Sequence, residues 1–231
     1  MLMKILPFLL VVLVSACAPG PPPLYPPSPK LEQGAAKRVE YIQAFLEGRW
    51  CDARYLFAES RDAFLRRDDF CAVATNYLYA WKLHSYLGQE DPLLLQEALH
   101  MSRIGRSCPD IEQAAQGAVV QTERESEYRS LIRDGRFDEL TTILDKESDP
   151  LFRSVYARKA AGRAYKEGQA LQAKTLLEQA LQTDAAHGWT VFLVEDWKLF
   201  HALETDAVMQ KRISDRITRL GLLIQDCSES R

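Results

Sequence analysis

From Lys30 onward apolar residues recur at three- and four-residue intervals, strand signal is slight, and Ala, Leu, Glu, Gln and Arg dominate. Tyr41 and Phe45, then Ala53, Phe57 and Phe64 beyond a break at Gly48-Arg49, predict two helices joined by a turn. Asp68-Asp69 suits the cap of a third helix carrying Val73, Tyr77, Trp81 and Leu87, and Gly88 ends it. Asp91-Pro92 restarts the chain with Pro at a first helical position, and this fourth helix closes near Gly105. Further helices are expected over 110–133, 137–146, 150–167, 170–182, 189–203 and 207–222. Tyr77 and Trp81 share a face suited to the core, whereas Tyr79 and Tyr86 lie on another, where one ring is free to bind. The chain is therefore expected to be all-α, with about ten helices and short turns.

One stretch has a more specific pattern. Ala157, Ala160, Ala161 and Ala164 precede Gly168, and Ala173, Leu177, Ala180, Leu181 and Asp184 follow it. Small residues at these spacings let two helices approach closely while the leucines fill the space between successive hairpins. The pattern resembles a tetratricopeptide repeat. A weaker copy around Gly135 carries Tyr128, Leu131, Leu140, Leu144 and Pro150, and its glycine stands 33 residues before Gly168. Two departures stand out, since Ala157 and Ala161 occupy the family's usual Trp and Gly places and Ala185 replaces a typical Pro. The resemblance implies a right-handed α-solenoid of antiparallel helical hairpins, each burying its apolar face on its neighbours. The last helices, with Ile213, Ile217, Leu220 and Ile224 on one stripe and Arg212, Arg216 and Arg219 outside, suit a cap.

The amino terminus supplies an address. Lys4 is followed by an apolar run over 5–14 and then by Ser15-Ala16-Cys17. The run is short of the ~20 residues that span a bilayer. A Cys directly after small residues resembles the lipobox of bacterial lipoproteins. That resemblance implies cleavage before Cys17, diacylation of its sulfur and acylation of its new amine. By the sorting pattern of enteric lipoproteins, Ala18 in place of Asp points to the outer membrane, with the folded part facing the periplasm. Ala18 to Pro29 contains seven prolines and suits an extended tether reaching ~37 Å at ~3.1 Å per residue. The same composition also suits a ligand for a Pro-recognising module, and the spacer reading takes precedence. The organisation is then a signal peptide over 1–16, lipidated Cys and tether over 17–30, and amino-terminal hairpins over 31–109. Tetratricopeptide-like hairpins with their cap occupy 110–226, and 227–231 form a polar tail.

Charge and cysteine content narrow the chemistry. There are 29 Lys and Arg against 32 Asp and Glu, a net charge of −3 that gives no reason to invoke nucleic acid. Beside Cys17 stand Cys51, Cys71, Cys108 and Cys227, and no Cys-x-x-Cys or Cys/His metal spacing occurs. In an oxidising compartment these four form two bridges in one of three ways. Cys51 and Cys71 flank a helix about 22 Å long, too far for a bond that tolerates Cα separations to ~7 Å. Up-down alternation brings Cys71 and Cys108 to one end, so these two are expected to pair. Cys51 is left free or paired with Cys227.

No phosphate loop, metalloprotease or serine-hydrolase signature is present, and neither a cofactor nor a metal is expected. Glu59-Ser60 resembles the start of a lytic transglycosylase motif, but the following Arg61-Asp62-Ala63 departs from it, so no catalytic residue is assigned. In tetratricopeptide proteins the first helix of each hairpin lines a groove for extended peptides. Counting back from Gly168 and Gly135 by that resemblance places Arg129, Arg133, Arg158 and Lys166 with Tyr165 along a cationic strip. Such a strip suits an acidic segment or the carboxyl terminus of another envelope protein. The expected function is non-catalytic docking or assembly, an architecture similar to secretin pilotins and barrel-assembly accessory lipoproteins. A peptidoglycan-associated factor and a purely structural envelope protein are the alternatives.

Overall fold

A computed structural model describes residues 29–105, 108, 111 and 123–227. The stretches read as a signal peptide and, but for its end, as a tether lie outside the described residues with Cys17, as does much of the helix expected over 110–133. Ten helices are described. They are α1 (Pro29–Leu46), α2 (Trp50–Leu65), α3 (Phe70–Tyr86), α4 (Pro92–Ile104) and α5 (Glu123–Arg133). The remainder are α6 (Phe137–Asp145), α7 (Pro150–Lys166), α8 (Ala170–His187), α9 (Thr190–Leu203) and α10 (Ala207–Gly221). The described residues contain no strand, and the helices pack in consecutive pairs, as a helical repeat does. No described helix is long and apolar enough to cross a membrane. α1 begins at Pro29 rather than after the tether, and α8 runs five residues beyond its expected end.

Six of the turns are built alike. Arg49, Asp69, Gln89, Arg136, Gln169 and Trp189 each donate a backbone N–H to the carbonyl five residues earlier. In each the preceding residue has positive φ, a glycine in five cases and Asp68 in the sixth. This is the Schellman closure, which satisfies carbonyls the helix end leaves open. Starts are equally regular, with the Asp69, Asp91, Asp149 and Asp206 side chains each accepting from a backbone N–H of the first helical turn. The α6–α7 turn lacks a glycine and is held by Glu147. Its carboxylate accepts from Asp149 N at 2.8 Å, from Arg124 Nη1 at 3.0 Å and from the Tyr128 hydroxyl.

The alanine pattern lies where α7 meets α8. Ala157, Ala160, Ala161 and Ala164 on α7, and Ala173, Leu177 and Ala180 on α8, are all 0% exposed. α9 packs against both of these helices, and α7 packs against α5 and α6, so each hairpin rests on the next. One apolar core runs from Tyr41 on α1 through Leu140 and Tyr156 to Leu203 on α9, spanning both the 31–109 and 110–226 stretches. A smaller cluster of Ala74, Cys108 and Ile111 accompanies the Cys71–Cys108 bond, whose Cα atoms lie 5.5 Å apart.

The array does not end in an independent cap. Ile213 is buried and Arg212, Arg216 and Arg219 are exposed, but the chain beyond α10 returns to the α1–α2 turn. Gln225 N donates to Gly48 O at 2.8 Å, Cys51 N donates to Gln225 Oε1 at 3.3 Å, and Cys51 is bonded to Cys227. A Cβ at position 48 would stand 2.9 Å from Ile224 Cγ1, and Gly48 has φ +82°, so both space and backbone require glycine there. α1 also touches α9. The first and last hairpins are thus joined. Opening this 176-residue closure with Cys51→Ser and Cys227→Ser should cost ~5 kcal/mol in the chain-entropy picture, against ~4 for the 37-residue Cys71–Cys108 loop. Guanidinium unfolding of the two double variants should rank them in that order, and the reverse order would show that the tail does not act as a strap.

Candidate functional site

An open cleft of about 910 Å³ lies where α3 and the start of α4 face α5 and α7. Trp81 and Ser85 come from α3, and Glu90, Pro92 and Leu95 from the turn and first turn of α4. Arg129, Ile132 and Arg133 come from α5, and Lys159 and Arg163 from α7. The cations stand one helical turn apart on each helix, at positions i and i+4, so α5 and α7 each present a pair to the same space. Glu90 is the carboxylate among the lining residues.

The floor beneath this cleft is charged and closed. Glu125 is 1% exposed, and its carboxylate accepts from Lys82 Nζ at 2.9 Å, Tyr86 hydroxyl at 3.0 Å and Tyr156 hydroxyl at 3.3 Å. One buried acid therefore ties α3, α5 and α7 together. The Lys159 ammonium lies 5.1 Å from the Tyr86 ring centroid and 5.6 Å from that of Tyr156, with no ion pair among the described residues. Burial, then the neighbouring Arg129, lower its pKa to about 8, while Glu125 opposes the shift. Arg129 buries its Nε without an acceptor among the described residues. At the rim, Arg133 bonds Asp134 at 3.0 Å and Arg163 bonds Glu167 at 2.6 Å, pairs whose exposure leaves them weak.

The strip expected from the sequence is only partly assembled here. Arg129 and Arg133 line the cleft, whereas Tyr165 and Lys166 are exposed outside it. Arg158 requires a correction, because it turns into the protein. Its Nε donates to Asp196 Oδ1 and its Nη2 to Asp184 Oδ2, both at 2.5 Å, and its guanidinium lies 4.2 Å from the Phe192 ring centroid. Both carboxylates are 0% exposed. The groove count was one residue out on α7, which at 3.6 residues per turn is a rotation of about 100°. Lys159 and Arg163 face the cleft instead, and the i, i+4 cation spacing shared with α5 was the signal for them. Counting by the same resemblance also puts Glu125 and Val155 toward the groove, and both are buried, Glu125 beneath Lys82 and Tyr86 of α3.

The aromatic reading changes for Trp81, while one ring of the Tyr79 and Tyr86 pair is exposed as expected. Trp81 lines the cleft, and Tyr86 is buried on Glu125, while Tyr79 is exposed with the Arg38 guanidinium 5.7 Å from its centroid. Ser60 is a packing residue. It donates to Gly34 O and accepts from Asn76 Nδ2, both at 2.8 Å, joining α1, α2 and α3. The described residues contain no group of three His, Cys, Asp or Glu able to hold a metal.

Fold and cleft together define an all-helical protein of stacked hairpins, closed on itself and carrying a cationic recess. Comparison with protein-family models, with curated proteins and with solved structures found no match to this chain.

The Arg158 cluster generates two expectations. Arg158→Ala would leave two carboxylates buried without their cation and should cost about 3–5 kcal/mol in chemical denaturation. Asp184 is pushed upward, first by burial and also by its neighbour Asp196, while Arg158 opposes the shift. A carboxyl with raised folded pKa contributes stability that is complete below the ordinary aspartate range near ~4 and is lost as pH rises toward the raised value. The melting temperature of Asp184→Asn should therefore vary less between pH 5 and 8 than that of the wild type. An unchanged slope would remove Asp184 as its source.

Proposed function

We propose that this protein is a non-catalytic docking factor of the bacterial envelope, held at the outer membrane through Cys17 and facing the periplasm. Its cleft takes an acidic segment or carboxyl terminus of another envelope protein. The observation that carries this reading is the set of four cations, Arg129, Arg133, Lys159 and Arg163, converging on one open cleft with Glu90 as the lining carboxylate. Guanidinium groups match carboxylates in a planar, two-point geometry. Trp81, Ile132 and Leu95 add apolar wall beside the charges, so an apolar side chain near the acid would be received as well. Burial lowers the Lys159 pKa first and the neighbouring Arg129 second, and an incoming carboxylate would offset the second of these. Two disulfides suit an oxidising compartment. The lipid anchor rests on the sequence of residues 1–18.

The test is fluorescence anisotropy of a labelled Glu- and Asp-rich peptide with a free carboxyl terminus, titrated with the full chain in detergent. Charged hydrogen bonds contribute ~1.5–3 kcal/mol each, so Arg133→Glu with Arg163→Glu should weaken binding at least about tenfold. Binding should also fall with added salt. Arg212→Glu, on the outward face of α10, should leave affinity unchanged. Equal binding by the Arg133/Arg163 variant and the wild type would discard the cleft as the docking site.

A further inference from the structure

The last helix, α10, turns a basic face to solvent. Lys211, Arg212, Arg216 and Arg219 are all exposed, and Asp215 is the one carboxylate of the helix. Arg212, Arg216 and Arg219 stand at i, i+4 and i+7, within an arc of about 60° at ~100° per residue. No ion pair joins any of these four cations to a carboxylate among the described residues. The Arg216 guanidinium lies 4.2 Å from the Trp197 ring centroid of α9, and Arg212 Nη1 is 3.8 Å from Met209 Sδ. Acids at the start of the helix are engaged with backbone, Glu204 accepting from Thr205 N and Asp206 N, and Asp206 from Met209 N. Asp226 lies beyond the helix, in the tail.

Apolar side chains stand among these charges. Leu222 and Leu223, in the turn that follows, are 80% and 62% exposed, and Val208, one turn before Arg212, is exposed as well. Leu220 and Leu223 line an open recess of about 430 Å³ together with Arg212, Asp215, Arg216 and Arg219. Because α10 packs on α9 and buries Ile213, the two exposed leucines lie outside the core. A partner for this surface is anionic where it meets the guanidinium groups and apolar where it meets the leucines. A bilayer interface has that make-up, with phosphates at its surface and acyl chains a few ångströms beneath. Arginine suits such a boundary, since its guanidinium binds phosphate at two points while its aliphatic stem lies on apolar surface.

We infer that α10 and the turn after it rest on an anionic phospholipid bilayer. Arg212, Arg216 and Arg219 meet lipid phosphates, and Leu222 and Leu223 enter the acyl boundary. Each basic side chain near an anionic surface raises partition roughly fivefold, so four cations against Asp215 amount to about a hundredfold. None of the residues lining the docking cleft lies on α9 or α10, so the cleft stays open when this face is on the membrane. The contact goes beyond a lipid anchor at Cys17, because it fixes which side of the helical stack faces the bilayer.

The experiment places p-benzoylphenylalanine at position 222 of the full chain reconstituted in nanodiscs, followed by irradiation and mass spectrometry. Phospholipid adducts at 222 are expected in discs containing phosphatidylglycerol, with at least tenfold fewer in phosphatidylcholine alone. They should also be lost in the Arg212→Glu, Arg216→Glu, Arg219→Glu variant, and fall in 1 M salt, where the Debye length is ~3 Å. The same probe at the exposed Leu171, at the start of α8, should give no lipid adduct in either disc. Equal yields in the two lipids, no adduct with phosphatidylglycerol, or cross-links from 222 to a second copy of the chain would each overturn the inference. Elution of the chain with both kinds of disc but without adducts at 222 would separate a failed α10 contact from a failed anchor. The comparison of lipids leaves the arginines unaltered, so it does not depend on the folding of the Glu variant.

Discussion

Cys51 and Cys227 stand 176 residues apart in the chain and one bond apart in space, and a stack of hairpins tied in this way has no free ends. An open superhelix offers a peptide its concave face. Here the tail lies on the α1–α2 turn, α1 touches α9, and α3 lays Tyr86 and Lys82 against Glu125 of α5. The cationic cleft lies in the seam between α3–α4 and α5–α7.

Within that frame, burial sorts the cations into two kinds. Arg158 has two carboxylates within hydrogen-bond distance and is spent on holding α7, α8 and α9 together. Removing a partner from such a cluster costs far more than removing an exposed pair. Among the described residues Arg133 and Arg163 pair with Asp134 and Glu167, just past the ends of their own helices, in solvent-screened pairs that an incoming anion displaces readily. Lys159 lies between these extremes, half withdrawn from water over two tyrosine rings. The gradient from structural to available charge runs along a single helix, across the one-residue step from Arg158 to Lys159.

Local features of the fold were legible in the chain. Asp at helix starts and Gly at helix ends act through bonds within a few residues, so Asp69, Asp91, Gly48, Gly88, Gly135 and Gly168 lie at boundaries as read. Asp68 and Gly188 close turns of the same kind, and Asp68 was less visible because a non-glycine residue seldom takes positive φ. The alanines of α7 announced a close helix pair, since only small residues permit that approach. Helix direction was enough to pair Cys71 with Cys108.

Which residues face the cleft was a different matter. Sequence periodicity specifies a helix and its apolar stripe, but a rotation of about 100° per residue turns a register error of one into a different face. The register of α7 is set by Asp184 and Asp196, which lie 26 and 38 residues beyond Arg158 and draw it inward. Trp81 and Tyr86 are sorted by the partner helix α5 rather than by their own spacing on α3. Composition and short-range pattern were sufficient for the all-helical class and the hairpin turns, which depend on bonds between near neighbours, and helix alternation was sufficient for the Cys71–Cys108 pair. The closure and the cleft depend on contacts between distant segments, and only the folded chain brings those together.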